Sequence, residues 1–278
     1  TETLRCISCS LAAYLLGSVM PDTFYYASRP SLVRIAESFH GRDGNPTNTF
    51  VIRVLEESRA GRDVAFALGF LTHCALDIAF HPVIYYLSGN YYDSDPARRS
   101  GAVRAHRRLE TSLDRSLGHR VRFHRSVRPR NASGLVMAGI LGRDHLAGPL
   151  DIRLSIARQA AFNYAFTSRL AYRLALLASP TLVAPAYLGL FYADVPDHES
   201  FPSTIEARDL VDGTPYTTSV AELFGRARCH ALSMMRSAFS FSRGEIGRET
   251  LLEAIPGVSL DTGRLGVSVD AIRHVSGD

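Results

Sequence analysis

The chain has 278 residues, of which 46% are hydrophobic and 21% are charged, and its formal net charge at pH 7 is +4. This composition is typical of a globular protein with a sizeable core, and the mildly basic charge permits an anionic substrate without requiring one. The four cysteines do not indicate a secreted scaffold built on disulfide bonds.

Periodic apolar residues predict a succession of helices joined by loops. A nearly all-apolar helix over residues 62–80 is expected to lie at the centre of the core, and Pro82 marks its end or a kink. Residues 85–100 are predicted to form a polar, tyrosine-rich connection to the next helix. Further helices are predicted over residues 10–20, 31–39, 48–57, 101–117, 150–178 and 219–237, the last with Ser219 as its cap.

Strand signals are weak throughout the chain. Short extended pieces are expected only within residues 183–192 and 257–269, while residues 41–46 and 196–216 carry turn residues typical of loops. We therefore predict an all-α fold, with a single multi-helix domain over residues 1–278.

Residues 174–193 carry no charge over twenty positions, which is long enough in principle to span a bilayer. Pro180 and Pro185 argue against a continuous helix there. The stretch is interpreted as the end of a buried helix followed by an apolar loop; the alternative is a surface that contacts lipid at a membrane interface. No standard signal peptide is visible, which slightly favours a cytoplasmic location.

Arginines are concentrated between residues 98 and 130. They do not alternate with aromatic residues as in a nucleic-acid platform, so a nucleic-acid partner is not favoured. A solvated surface and a rim that faces phosphate or a lipid headgroup both remain open. The arginines are Arg98, Arg99, Arg104, Arg107, Arg108, Arg115, Arg120, Arg122, Arg125, Arg128 and Arg130.

Histidines and acidic residues recur at helical spacing in two of the predicted helices. Residues four apart lie on the same face of a helix, so each set forms one stripe. Imidazole nitrogens and carboxylate oxygens are ligands of zinc and similar divalent metals, so we predict two helices that face each other across a metal cluster. The stripes are His73, Asp77 and His81 in the first helix, and His106, Glu110 and Asp114 in the second.

Asp77 is the most demanding member of these stripes, because its helix is otherwise apolar. Burying an unpaired carboxylate costs several kcal/mol, so Asp77 requires a metal or another cation. A buried salt-bridge network with nearby arginines is the alternative to a metal site.

The order of these motifs resembles the zinc-dependent phospholipase C family, whose general scheme is shared by single-strand nucleases of the same fold. The matching features are the segment from Gly17 to Asp22, the isolated His40, residues 69–82 and the His-x3-Glu pair in residues 104–114. The resemblance covers residues 12–114 well, with a weaker echo in residues 217–224 and the helix that follows. It implies an all-helical fold with up to three zinc ions in a cleft, and hydrolysis of a phosphodiester by metal-activated water.

The resemblance also implies the ligand sets. Asp22 is expected to act first as a ligand and second as the catalytic general base, and Asp77 is placed to bridge toward a third metal. Asp114 is expected to support a ligand or cap the helix rather than bind metal. The implied ligands are Asp22, His40, His73 and Asp77 for one zinc, and His81, His106 and Glu110 for a second.

The third site of the family uses the N-terminal amine and a nearby histidine. Here no histidine precedes His40 and residue 1 is threonine, so we expect two or three Zn²⁺ ions and no metal bound by Thr1. Paired tyrosines near the motifs are expected either to line a substrate mouth or to pack with their hydroxyls at the surface. These are Tyr25, Tyr26, Tyr85, Tyr86, Tyr91 and Tyr92.

The expected substrate is a lipid or small-molecule phosphate ester, with contact to a membrane surface as an accompanying possibility. One alternative keeps the metal site but assigns it to a nucleotide, a nucleic acid or a small metabolite. The other is a protein without catalytic activity, in which the metals only hold the helices together.

Overall fold

A computed structural model of the chain describes residues 2–58, 60–116, 123–178, 185–195 and 203–276. These residues form thirteen α-helices and one antiparallel pair of strands, so the predicted helical fold class is confirmed. The single domain over residues 1–278 stays a prediction. The helices are α1 Glu2–Cys9, α2 Leu11–Gly17, α3 Met20–Thr23, α4 Pro30–His40, α5 Thr49–Glu57, α6 Gly61–Ser88, α7 Pro96–Ser116, α8 Phe123–Ser126, α9 Val136–Arg143, α10 Pro149–Phe166, α11 Arg169–Ala178, α12 Val220–Ser242 and α13 Arg248–Ala254; the strands are β1 Ile205–Arg208 and β2 Pro215–Thr218.

The strand pair lies in the region predicted as a loop. Residues 205–208 alternate between buried and exposed positions and pair with β2, and Gly213 adopts a positive φ in the turn between the strands. Four residues of alternation are too short a signal to separate from a loop. The prediction of extended pieces within residues 183–192 and 257–269 was wrong, because the described parts of these ranges contain 3-10 turns and irregular backbone.

Several helix boundaries also differ from the sequence prediction. Helix α6 continues through Pro82 to Ser88, and α7 already begins at Pro96, so most of the expected connection between them is helical. The helix predicted over residues 150–178 is two helices, because the Ser168 hydroxyl accepts the backbone N–H of Ala171 and starts α11. Ser219 caps α12 as predicted, accepting the backbone N–H of Glu222.

Helix α6 is the central element of the core. It packs against α2, α5, α7 and α12, and most of its side chains are buried. Among the described residues it is the one helix long and apolar enough to cross a membrane, and 78% of its most apolar window is buried inside the protein. Its apolar composition therefore fits a core helix.

Two glycines allow α2 and α6 to cross with their backbones in contact. A Cβ atom on Gly69 would lie 2.0 Å from the carbonyl oxygen of Tyr14, and one on Gly17 would lie 2.0 Å from the carbonyl oxygen of Phe66. This close crossing places the residues that follow Gly17 against the polar stripe of α6.

Replacing Gly69 with alanine should lower the free energy of unfolding by about 3 kcal/mol, because the added methyl group forces two backbones apart. The matched control is Gly225→Ala in α12, where a Cβ meets nothing within 4 Å. That change should be neutral or raise stability by up to about 1 kcal/mol. Denaturant unfolding of both variants measures the difference, and equal midpoints would contradict the crossing.

The C-terminal segment over residues 257–276 runs beside α4 and α6. The backbone N–H of Leu260 donates to the carbonyl oxygen of His40 at 3.0 Å, and Gly263 lies against the ring of Pro82. Farther along, the backbone N–H of Arg273 donates to the carbonyl oxygen of Leu210 between the two strands. This irregular segment therefore contacts α4 and α6, two of the helices that carry predicted metal ligands.

Candidate metal centre

Four helices bring the seven predicted ligands to one cleft. Helix α6 presents His73, Asp77 and His81 along one face, as their four-residue spacing predicts. Helix α4 begins with Pro30 and ends at Gly41, whose left-handed backbone stops it directly after His40. The remaining ligands are Asp22 on α3, and His106 and Glu110 on α7.

The first donor group consists of Asp22, His40 and His73. One ligand atom of each lies within 4.8 Å of the others. His40 Nε2 is 3.3 Å from Asp22 Oδ1, and His73 Nε2 is 3.9 Å from the same oxygen. One metal ion could bind all three groups.

The second donor group consists of His81, His106 and Glu110, and its ligand atoms also lie within 4.8 Å of one another. Glu110 Oε1 is 3.3 Å from His81 Nε2 and 3.4 Å from His106 Nε2. This group joins His81 of α6 to His106 and Glu110 of α7, the three residues that the family resemblance implies for the second zinc.

Asp77 lies between the two groups. Its Oδ2 is 2.9 Å from His73 Nε2 and 3.6 Å from His40 Nε2, while its Oδ1 is 3.8 Å from His81 Nε2. In the described residues the ion-pair partners of Asp77 are these three histidines, so the alternative of a buried network with arginines finds no support. The two oxygens of Asp77 face different donor groups.

The rings of the first group are oriented through their other nitrogen. His40 Nδ1 donates to the carbonyl oxygen of Ala36 at 2.8 Å, and His73 Nδ1 donates to that of Ser18 at 3.1 Å. In the neutral ring, the lone pair of Nε2 would then face the carboxylates, with a metal ion bound between them. His73 Nε2 and Asp77 Oδ2 are buried yet have no hydrogen-bond partner, so the donor set fits a divalent metal such as zinc.

The charges of the cleft depend on one another. Burial alone would lower the pKa of His40, but the nearby carboxylates of Asp22 and Asp77 raise it well above its ordinary value. The pKa values of His73 and His81 are raised in the same way, against burial, by neighbouring carboxylates. Burial would raise the pKa of Asp77, but the positive charges of His73 and His81 hold it well below its usual range.

Zinc binding to the metal-free protein should release protons at pH 7. The raised pKa values favour the protonated forms of His40, His73 and His81 in the metal-free protein, whereas a metal ligand must be a neutral imidazole. Apparent zinc affinity should therefore fall as the pH is lowered. Titration of chelator-treated protein in weak buffer with an indicator dye should detect up to three protons; zinc uptake without proton release would contradict the charge pattern.

The comparison with known families bears on this geometry. The zinc-dependent phospholipase C family matches residues 1–141, which is half of the chain and contains both donor groups. The chain belongs to the zinc-dependent phospholipase C family. Searches of curated proteins and of solved structures gave no match.

Zinc-dependent phospholipases C are hydrolases that use zinc. Both donor groups lie within the residues that match this family. Thr1 lies outside the described residues, and the absence of a metal at Thr1 stays a prediction. Asp114 is exposed on α7 and belongs to neither donor group.

One residue at the centre escaped the sequence analysis and lies outside the region that matches the phospholipase C family. Asp261 is buried, its Oδ1 lies 3.4 Å from His81 Nδ1, and its Oδ2 accepts the hydroxyl of Tyr92 at 3.1 Å. Carboxylates on the far nitrogen of a ligating histidine fix the ring and its tautomer. A lone aspartate in an irregular segment carries no periodic signal, and the nearby turn residues Gly257 and Gly263 were the only hint.

Several tyrosines lie around the two donor groups, and their lining of a substrate mouth stays a prediction. Tyr25 lies 5.3 Å from the His40 ring, and Tyr85 and Tyr91 pack edge-on against His106. Tyr26 is packed between the cleft and α10, where burial and the charge of Asp22 raise its pKa above the usual value.

Arg107 is the arginine of the predicted cluster that stands at the cleft. It donates to the carbonyl oxygen of Ala186 at 3.1 Å, lies 3.5 Å from the Tyr91 hydroxyl and covers the ring of Tyr187. Among the described residues Arg107 has no carboxylate in ion-pair distance, whereas Arg104 is paired with Asp194 at 2.8 Å. Among its described members, the cluster thus contains arginines that pair with a carboxylate, such as Arg104, and it also contains Arg107 at the rim of the cleft.

Proposed function

We propose that the protein is a zinc-dependent phospholipase C that hydrolyses the phosphodiester bond between a lipid's glycerol and its headgroup. The observation that carries the proposal is the pair of donor groups joined by Asp77, in a chain that belongs to this family. Zinc, when bound, supplies a Lewis acid for phosphoryl oxygens and lowers the pKa of water toward neutrality.

The proposed ligands are those implied by the sequence. Asp22, His40, His73 and Asp77 would hold one ion, and His81, His106 and Glu110 a second. Two zinc ions are the proposed minimum, and a third ion is not assigned a site.

Asp22 is the proposed catalytic base, because its side chain is 43% exposed while His40, His73 and Asp77 are close to fully buried. An exposed carboxylate beside the metal donors can accept a proton from water and return it to solvent. Arg107 is placed to attract the substrate phosphate, and Tyr25 and Tyr26 to exclude water around the ester. Asp261 positions His81 and touches no substrate.

The experiment is a product assay on phospholipid vesicles and on a dispersed short-chain phospholipid. Diacylglycerol and a phosphorylated headgroup are the expected products, lost on chelation and restored by zinc. Asp22→Asn should lose turnover and weaken zinc binding in the first donor group, because Asp22 is proposed both as a ligand and as the base. Hydrolysis of single-stranded DNA or a nucleotide without lipid turnover would favour the alternative substrate class, and zinc without any turnover would favour purely structural metals. The cytoplasmic location stays a prediction.

A further inference from the structure

Half of the exposed large apolar side chains of the described residues lie in one short stretch. Eight of the sixteen fall within residues 149–178, which are thirty of the 278 residues. Such a concentration exceeds the scattered apolar residues that any protein surface carries and indicates an interaction site. They are Leu150, Leu154, Phe162 and Tyr164 on α10, and Leu170, Leu174, Leu176 and Leu177 on α11.

The exposure of α11 corrects the expectation that this part of the chain is the end of a buried helix. Ala175 is the buried residue of α11, whereas Leu170, Leu174 and Leu177 repeat at helical spacing on its exposed side. Leu177 is 83% exposed. Residues 179–184, the first part of the predicted apolar loop, lie outside the described residues.

The same stretch is strongly basic. It contains four arginines and one acidic residue, which gives it a net charge of +3, while the net charge of the whole chain is +4. The acidic residue, Asp151, is paired with Arg29. All four arginines are exposed, and none forms an ion pair among the described residues. They are Arg153, Arg158, Arg169 and Arg173. Leucines interspersed with unpaired arginines are typical of helices that lie on anionic membranes.

Helix α10 is fastened beside the first donor group. Thr23, next to Asp22, donates its hydroxyl to Gln159 Oε1 at 2.8 Å, and both side chains are buried. The ring of Tyr26 packs on Phe162 at 6.0 Å. A groove of about 430 Å³ runs between α10 and residues 27–32, with Leu32, Leu154, Ala157 and Ala161 among its apolar walls and Arg29 and Arg158 at its edge.

Helix α11 is fastened to α7, which carries ligands of the second donor group. Asp194 accepts the hydroxyl of Tyr172 on α11 at 2.7 Å and a guanidinium N–H of Arg104 on α7 at 2.8 Å. Both apolar helices therefore hold fixed positions relative to the metal centre.

We propose that the exposed faces of α10 and α11 form a docking surface for an anionic phospholipid bilayer. The proposal rests on the proposed function, because docking would bring lipid substrate to the cleft beside Tyr26. Leucines enter the interface between headgroups and acyl chains, and the arginines bind lipid phosphates.

The test is sedimentation of the full chain with vesicles of phosphatidylcholine, alone or mixed with phosphatidylglycerol. Wild type should bind the mixed vesicles, and added salt should weaken the binding. The double variant Leu154→Ser/Leu174→Ser should lose at least about tenfold in vesicle affinity. The control Leu232→Ser/Leu265→Ser changes two leucines elsewhere with comparable exposure, 43% and 61% against 52% and 57%, and should bind as wild type.

A second pair of variants tests whether vesicle binding depends on the arginines of this surface or on the net charge of the whole protein. Arg153→Gln/Arg173→Gln should lose about fivefold in affinity for each arginine, whereas Arg228→Gln/Arg236→Gln, on exposed positions of α12, should leave binding unchanged. Equal losses in both pairs, or no binding of wild type to mixed vesicles, would overturn the proposal. So would loss of a wild-type dimer in the leucine variant, which would assign the surface to a second copy of the chain.

These measurements do not depend on catalysis. Binding should persist after chelation, and the leucine variant should hydrolyse dispersed short-chain substrate as wild type does. Vesicle binding without any hydrolysis would contradict the proposed function alone, while hydrolysis of dispersed lipid without vesicle binding would contradict the docking surface alone.

Discussion

Asp77→Asn is expected to lower phospholipid hydrolysis by about a thousandfold or more and to reduce bound zinc in both donor groups. The reason is that the two carboxylate oxygens of Asp77 face different groups, one toward His73 and one toward His81. The amide keeps the shape of the side chain, but it removes the negative charge and replaces one acceptor by a donor. Elemental analysis of zinc and turnover of a short-chain lipid measure the two effects.

Asp114→Asn is the matched control for Asp77→Asn, because Asp114 is an acidic residue of the predicted stripes that belongs to neither donor group. It should keep both zinc content and turnover. Full metal content and activity in Asp77→Asn would exclude the proposed ligand set, and equal losses in both variants would place a ligand at Asp114.

Glu110→Gln is expected to remove the second zinc while the first stays bound. Glu110 Oε1 is the oxygen that His81 and His106 share, whereas Asp22, His40 and His73 make no ion pair with it among the described residues. Zinc content should fall by one ion, and turnover should fall by about 100-fold to 1,000-fold. Stepwise removal of zinc by a chelator, followed by elemental analysis, measures the change.

The same assay tests Asp261, which should matter less than a ligand. Asp261→Leu removes the carboxylate from His81 Nδ1 and should weaken the second zinc by about 10-fold to 100-fold while the first keeps its affinity. Loss of every metal in Glu110→Gln would show that the two sites are not separable. An unchanged second site in Asp261→Leu would show that the ring of His81 is held by its packing against Tyr85 and His106 instead.

The ligand pattern could be predicted because helical geometry converts sequence spacing into a shared face. His73, Asp77 and His81 needed no tertiary information to be placed together, and the paired acid in each stripe indicated a metal. The order of motifs then supplied Asp22 and His40, which spacing alone could not connect to α6. The structure brings both to the first donor group.

The missed features depend on contacts between distant segments. Asp261 reaches His81 across 180 positions of the chain, through an irregular segment whose course has no periodicity. Pro82 was expected to mark the end of its helix or a kink, yet α6 continues through it, and the ring packs against Gly263 of that same segment. The exposure of α11 was missed because an amphipathic pattern of leucines does not say whether a neighbour covers it.

The path of the C-terminal segment has a consequence for how the metal centre matures during synthesis. All seven proposed ligands have been synthesised once the chain reaches residue 110. The groups that support His40 and His81, the Leu260 N–H and the Asp261 carboxylate, are made about 150 residues later. A nascent chain can therefore collect zinc with its ligands loosely arranged, and it reaches the final geometry only when residues 257–264 dock. Zinc supplied during translation should be held more weakly than zinc in the finished protein, so the last part of the chain to be made sets how firmly the metal is retained.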